Sequence, residues 1–184
     1  MKKLFNNTFL LLLLLLPATS LAYDFEYNGI YYNKNGTEAI VTFKDNSYNS
    51  YSGYVNIPAS FKYDGRTYTV TTIGYEAFQN CSNLIMVEIP NTVTCIETRA
   101  FFKCSNLANV NIPNSVTDIS GVQTFGYCSS LKSFSIPGSI TEIGDYMFEH
   151  CSGLTSVTIP NSVTTIGQEA FWSCSGLTNI DIII

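Results

Sequence analysis

The sequence predicts a mainly β repeat solenoid, built as a stack of short parallel strands with short helical turns and closed by an N-terminal β-hairpin cap. Five cysteines recur at intervals of 23, 24, 23 and 23 residues, and five of the six prolines directly follow an isoleucine. Repetition at a period of about 20–50 residues is the signature of units that bury their apolar side only by stacking on one another. The repeating cysteines are Cys81, Cys104, Cys128, Cys151 and Cys174.

Residues 1–22 are predicted to be a secretory signal peptide. Lys2 and Lys3 form a basic start, residues 9–16 are an unbroken apolar run, and the segment ends in small residues at Ser20 and Ala22. This arrangement is typical of a signal that is cleaved, here after Ala22. A membrane anchor is the alternative, but the run is shorter than the roughly 20 apolar residues that span a bilayer. We therefore expect a secreted or cell-surface protein with no membrane insertion after signal removal.

Residues 23–56 are predicted to form the cap. Two β-rich segments flank Asn35-Gly36, a dipeptide that favours a tight hairpin turn. Asp64-Gly65 marks a second such turn, inside the first repeat. A cap is needed because the apolar edge of an uncovered solenoid end would aggregate.

Residues 57–184 are predicted to be the repeats: an expanded first unit, about four full repeats and a truncated last unit. In one unit, residues 157–159 alternate as a short strand does, and Pro160 ends the strand because it has no N–H to donate. The sequence VTTI then forms a second extended segment. Gly167 permits a sharp turn, and QEAFWSC has the composition of a short helical turn.

The stretch IPNSVTTIGQEAFWSCSGLTNI resembles the BspA-type leucine-rich repeat, and residues 25–78 are similar to the cap and expanded first repeat of such proteins. Glu97 and Ser120 depart from the pattern, since glycine is usual there. The resemblance implies a leucine-rich-repeat stack and a non-catalytic surface or secreted protein. Proteins of this kind are associated with adhesion to host or matrix proteins and to other cells.

The cysteines have three interpretations: zinc ligands, disulfides or buried thiols. The chain has one histidine and no close CxxC pair, which argues against zinc. Five stacked cysteines cannot all pair, so we expect a ladder of thiols that act as small apolar residues. Cys95 aligns with the polar residues Asp118, Glu142 and Thr165, and is therefore expected to be exposed and to react fastest with a thiol reagent.

No catalytic, cofactor-binding or metal-binding residues are predicted. His150 occupies a variable position before Cys151 and is expected in a surface loop, with no nucleophile to serve. Trp172 is expected to pack between repeats rather than to bind a sugar. After signal removal seven basic residues face fourteen acidic ones, so the net charge of −7 disfavours nucleic acid.

The candidate binding face consists of the outward positions of the parallel strands. We expect it to bind a protein ligand, such as an extracellular matrix or host surface protein. The alternatives are a structural or self-assembling surface spacer and a glycan-binding module, although these columns contain no aromatic residue to stack on a sugar. The two columns are Met86, Asn109, Ser133, Ser156 and Asn179, and Glu88, Asn111, Ser135, Thr158 and Asp181.

Overall fold

The computed structural model describes residues 22–119 and 121–183, so all but the last residue of the predicted signal peptide lies outside the described residues. Fourteen strands and no helix are present in these two ranges. The strands are β1 (Phe25–Tyr27), β2 (Ile30–Asn35), β3 (Glu38–Thr42), β4 (Gly53–Asn56), β5 (Ser60–Tyr63), β6 (Arg66–Ile73), β7 (Leu84–Glu88), β8 (Cys95–Ile96), β9 (Asn109–Asn111), β10 (Ser133–Ser135), β11 (Glu142–Ile143), β12 (Ser156–Ile159), β13 (Thr165–Ile166) and β14 (Asn179–Ile182).

The N-terminal strands form a sheet in the order β1-β2-β3-β6-β5. Its β2–β3 and β5–β6 pairs are antiparallel hairpins. The β5–β6 hairpin turns at Asp64 and Gly65, which both have positive φ (46° and 72°), as this tight turn requires. Because β3 pairs with β6 in parallel and β6 pairs with β8, the sheet joins the N-terminal hairpins to the repeats. The division of cap and repeats between residues 56 and 57 stays a prediction.

The repeat strands stack in parallel and in register, as expected of a solenoid. One sheet contains β4-β7-β9, and another contains β10-β12-β14. Equivalent residues of successive units face each other directly, for example Val87 and Val110, or Val157 and Ile180. The second extended segments form their own short ladders, such as β11 with β13.

The predicted short helical turns are wrong: the segments between the second extended segment and the cysteine contain no helix. Each contains two left-handed residues four positions apart, as at Glu76 (φ 55°) and Asn80 (φ 58°). Along such a segment the backbone N–H groups donate alternately within the turn and to the next repeat. Phe78 N–H donates to the Ala100 carbonyl at 2.7 Å, whereas Cys81 N–H donates to the Phe78 carbonyl at 3.1 Å. Hydrogen bonds between repeats thus replace those of a helix.

A column of stacked phenylalanine rings runs through the core. Successive centroids are 5.0, 5.2, 5.6 and 5.4 Å apart, and the ring planes differ by 2–8°. Tyr51, from the segment before β4, contacts the first ring at 4.6 Å and so continues the column toward the N-terminal sheet. The rings are Phe78, Phe101, Phe125, Phe148 and Phe171.

Candidate functional site

The strand face consists of the outward side chains of β4, β7, β9, β10, β12 and β14. All ten predicted residues lie in two columns of this face, because each is paired with its equivalent in the next strand of its sheet. Eight of them are exposed, and Ser156 and Thr158 are half-buried. The inward residues between them, such as Val87 and Val157, are buried. The strands therefore hold the columns on a rigid support.

Two residues of the strand face were missed from the sequence. Tyr54 pairs with Met86 and Asn56 pairs with Glu88, so strand β4 extends both columns by one position. The expectation that these columns lack aromatic residues is wrong, since Tyr54 is 74% exposed. The signal was present in Ile57-Pro58, which aligns with the Ile-Pro of later units and places Tyr54 level with Met86.

The first half of the strand face is concave and more varied than the second. A cavity of ≈ 540 Å³ is lined by Asn56, Met86, Glu88, Asn109 and Asn111, among others. These side chains combine amides, which both donate and accept hydrogen bonds, with one carboxylate and an apolar thioether. The second half carries mainly short hydroxyl side chains. Along the columns, the first carboxylate after Glu88 is that of Asp181 in β14.

The columns of the strand face carry two carboxylates, Glu88 and Asp181, and these lie far apart. Glu88 lies in β7 and Asp181 in β14, with β9, β10 and β12 coming between them in the columns. Paired carboxylates that act together lie within about 10 Å of each other. Neighbouring strands are about 4.8 Å apart, so the three intervening strands place Glu88 and Asp181 well beyond that distance. Within residues 22–119 and 121–183, no cluster of three or more His, Cys, Asp or Glu side chains could hold a metal ion.

The cysteines form the expected ladder of thiols. Cys81, Cys104, Cys128 and Cys151 are buried, while Cys174 in the last unit is half-buried. From Cys104 onward, each thiol lies 3.0–3.2 Å from the carbonyl oxygen of the phenylalanine in the preceding unit. Burial raises the pKa of Cys81 to about 11 and the pKa of Cys104 well above its usual range. The buried thiols are thus poor nucleophiles.

Cys95 lies outside this ladder and is half-buried rather than fully exposed. Its sulfur is 3.9 Å from a carboxylate oxygen of Asp118, at the bridge that continues the second extended ladder. Partial burial and, next, the charge of Asp118 raise the pKa of Cys95 to about 11. That it is the fastest-reacting thiol stays a prediction.

His150 and Trp172 lie together on the outside of the turn segments. The His150 ring stacks on Tyr127 with centroids 4.5 Å apart and meets the edge of Trp172 at 4.7 Å. Trp172 contacts the neighbouring repeat, as expected, yet half of its surface remains exposed. Sequence reasoning treated each residue separately and missed that the fold places them in contact.

Comparison with known families identifies the repeats. Residues 59–178 match the family described as "BspA type Leucine rich repeat region", in six copies. The chain belongs to the BspA-type leucine-rich repeat family. This confirms the resemblance drawn from the repeating motif, and membership of the family favours a protein-binding or cell-surface role over catalysis.

Solved structures of bacterial leucine-rich repeat proteins share the fold. One from Bacteroides ovatus is 38% identical with a TM-score of 0.78, over 86% of this chain and 41% of its own. A leucine rich cell surface protein from Faecalibacterium prausnitzii is 24% identical with a TM-score of 0.59, over 86% and 54%. The Leucine Rich Repeat protein of T. pallidum is 23% identical with a TM-score of 0.65, over 86% and 81%. The last two support the fold alone.

This BspA-type chain spans about half the length or less of the first two of these proteins. A comparison with curated proteins finds no match. Within the described residues, no helix has the length and apolar character needed to cross a membrane.

Proposed function

We propose that this BspA-type protein is exported to the cell surface or secreted, and that it binds another protein there through the strand face. The binding is non-catalytic and serves adhesion to a host surface protein, to extracellular matrix or to another cell. The observation that carries the proposal is the strand face itself. Two in-register columns of exposed polar side chains, with Tyr54 and Met86 at one end, stand on a buried core.

The chemistry of this face suits a protein partner. Short hydroxyl and amide side chains both donate and accept hydrogen bonds, and they lose little conformational entropy when they are ordered. Tyrosine is enriched among the few residues that dominate binding energy. Tyr54 is 74% exposed and lies beside Met86, which is 38% exposed. Together they offer apolar contact area to a partner.

The test is binding of residues 23–184 to an array of purified matrix proteins, measured by surface plasmon resonance. A triple variant carries Asn111→Lys, Ser135→Lys and Thr158→Lys on the strand face. A matched control carries Thr117→Lys, Thr141→Lys and Thr164→Lys, which adds the same charge at equivalent exposed positions before the second extended segments. We expect saturable binding that the strand-face variant loses and the control keeps, with circular dichroism showing both folded. Binding that both variants keep, or no binding to any array member, contradicts the proposal.

A self-assembling surface spacer is the second candidate, because β14 presents apolar side chains at the outer edge of its sheet. Ile180 is 46% exposed and Ile182 is 68% exposed, whereas their partners Val157 and Ile159 are buried. Light scattering of residues 23–184 tests this alternative. A mass that increases with concentration supports it, and a monomer at all concentrations contradicts it.

A further inference from the structure

A second concave surface, the turn-side groove, lies where the turn segments lead into the strands. It is shallow and open to solvent, with a volume of ≈ 400 Å³. Its lining comes from the residues just before and just after the ladder cysteines of four consecutive units. These include Lys103, Tyr127 and His150, and the three serines Ser82, Ser105 and Ser129.

The residues before the cysteines share a backbone conformation that keeps their side chains outside the core. Lys103, Tyr127 and His150 all have left-handed φ values, between 55° and 62°. Each is followed by a buried cysteine whose N–H is bonded within its own turn. Non-glycine residues seldom adopt this conformation, so the fold bears a small energetic cost at each of these positions.

Aromatic rings form one wall of the turn-side groove and continue beyond it. Tyr127 stacks on His150 at 4.5 Å, and His150 meets Trp172 at 4.7 Å with an interplanar angle of 74°. Because the Trp172 ring is turned across the His150 ring and the residue is 50% exposed, it offers indole surface to a ligand. Aromatic surface of this kind packs against the C–H groups of a sugar ring, while nearby hydroxyls bond the sugar hydroxyls.

Lys103 gives the turn-side groove its charge. Its Nζ lies 5.1 Å from the Phe102 ring centroid and 5.6 Å from that of Tyr127, so aromatic rings hold the ammonium in place. The one ion pair formed by the described residues joins Arg99 and Glu76, which leaves Lys103 without a carboxylate partner. No acidic residue lines the groove, although the chain has a net charge of −5. An anionic group is therefore the complement of this groove.

We propose that the turn-side groove binds a carboxylated sugar at the end of an oligosaccharide. The Lys103 ammonium pairs with the sugar carboxylate, and the serine hydroxyls bond the ring hydroxyls. The sugar ring packs against the wall of Tyr127 and His150, and Trp172 lies next to His150 at the end of this wall. The single ammonium matches the single charge of a sugar carboxylate, whereas a phosphate monoester carries a charge of about −1.5 to −2 at neutral pH. The proposal is independent of the strand face, since none of these residues belongs to it.

The experiment uses residues 23–184 and measures affinity by isothermal titration calorimetry. Two probes represent the two sources of a carboxylated sugar: 3′-sialyllactose for host glycans and trigalacturonate for plant or microbial polymers. Lactose tests the requirement for the carboxylate, and a hexaglutamate peptide tests whether charge alone suffices. Trp172 is the only tryptophan of the chain, so a change in its fluorescence during the same titration reports binding beside His150.

We expect saturable binding of at least one carboxylated sugar, with lactose and hexaglutamate at least tenfold weaker. Lys103→Gln and Tyr127→Ala should each reduce the affinity about tenfold or more, because both substitutions remove a direct contact. Lys62→Gln in β5 removes the same charge outside the groove and should change nothing. Circular dichroism verifies that each variant is folded.

Several results would overturn the proposal. The first is that neither carboxylated sugar saturates the protein. The second is that lactose or hexaglutamate binds as tightly as the carboxylated sugar, and the third is that Lys103→Gln binds the carboxylated sugar with unchanged affinity. The strand-face triple variant should bind the sugar normally. Failure of the strand-face proposal therefore leaves this result intact, and the reverse also holds.

Discussion

Replacing Phe125 with alanine should destabilise the protein far more than replacing Phe171 with alanine. Phe125 is fully buried and lies between two rings of the phenylalanine column, at 5.2 Å from Phe101 and 5.6 Å from Phe148. It also contacts Phe134 of β10 at 4.9 Å. Phe171 is half-buried and contacts one ring of the column, Phe148, at 5.4 Å. The same substitution thus removes different amounts of packing at the two positions.

The magnitude follows from this geometry. Truncating a fully buried phenylalanine to alanine costs about 3–5 kcal/mol, and an aromatic pair contributes about 0.5–1.5 kcal/mol of such a loss. Because Phe125→Ala abolishes three aromatic pairs, its cost should lie at the upper end, at about 4–5 kcal/mol. Phe171→Ala abolishes one aromatic pair and removes less buried surface, so a smaller cost of about 1–2 kcal/mol is expected.

Urea denaturation of residues 23–184, followed by far-ultraviolet circular dichroism, measures the difference. With a slope of about 2 kcal/mol per molar urea, Phe125→Ala should lower the midpoint by about 2 M and Phe171→Ala by less than about 1 M. Equal shifts for the two variants would refute the reasoning, because they would mean that position in the ring column does not determine the packing energy.

Three further predictions concern glycines and thiols. Gly153→Ala should lower the melting temperature, because a Cβ there would lie 2.2 Å from a carbonyl oxygen of the preceding unit, while the matched Gly138→Ala meets open space and should not. Stability should fall between pH 9 and 11: burial raises the pKa of Cys81 from 9.0 to about 11, so the unfolded chain loses this proton first. At about 1.4 kcal/mol per pKa unit, Cys81 contributes about 3 kcal/mol of this fall, so urea titrations across that pH range should show a fall that is about 3 kcal/mol smaller in Cys81→Ala. In native protein a maleimide should modify Cys95 and Cys174 before the four buried thiols, since both are half-buried, and mass spectrometry showing equal labelling of all six cysteines would contradict this.

Much of the fold could be predicted from the sequence because its interactions repeat. Val87, Val110 and Val157 recur at one offset from the prolines, and each is buried where the alternation places it. A period that preserves apolar positions leaves stacking as the way to bury them, so parallel strands and outward columns follow. The thiol ladder was predictable for the same reason.

The turn segments could not be predicted, because their hydrogen-bond partners lie in the next repeat. The composition around Phe171 is compatible with a helical turn, and local propensity offers no sign against one. In the structure, His150 N–H donates to the Trp172 carbonyl at 2.8 Å, a partner 22 residues away. Such a bond between units forms only after stacking, and it outweighs the local preference.

The sequence by itself determined the period, the buried columns and the polar strand face, because these depend on residue type at a constant offset. Tertiary structure alone decided which surface residues meet. Lys103, Tyr127 and His150 come from three different units, and they share one groove because stacking brings equivalent positions of successive units to within a few ångströms.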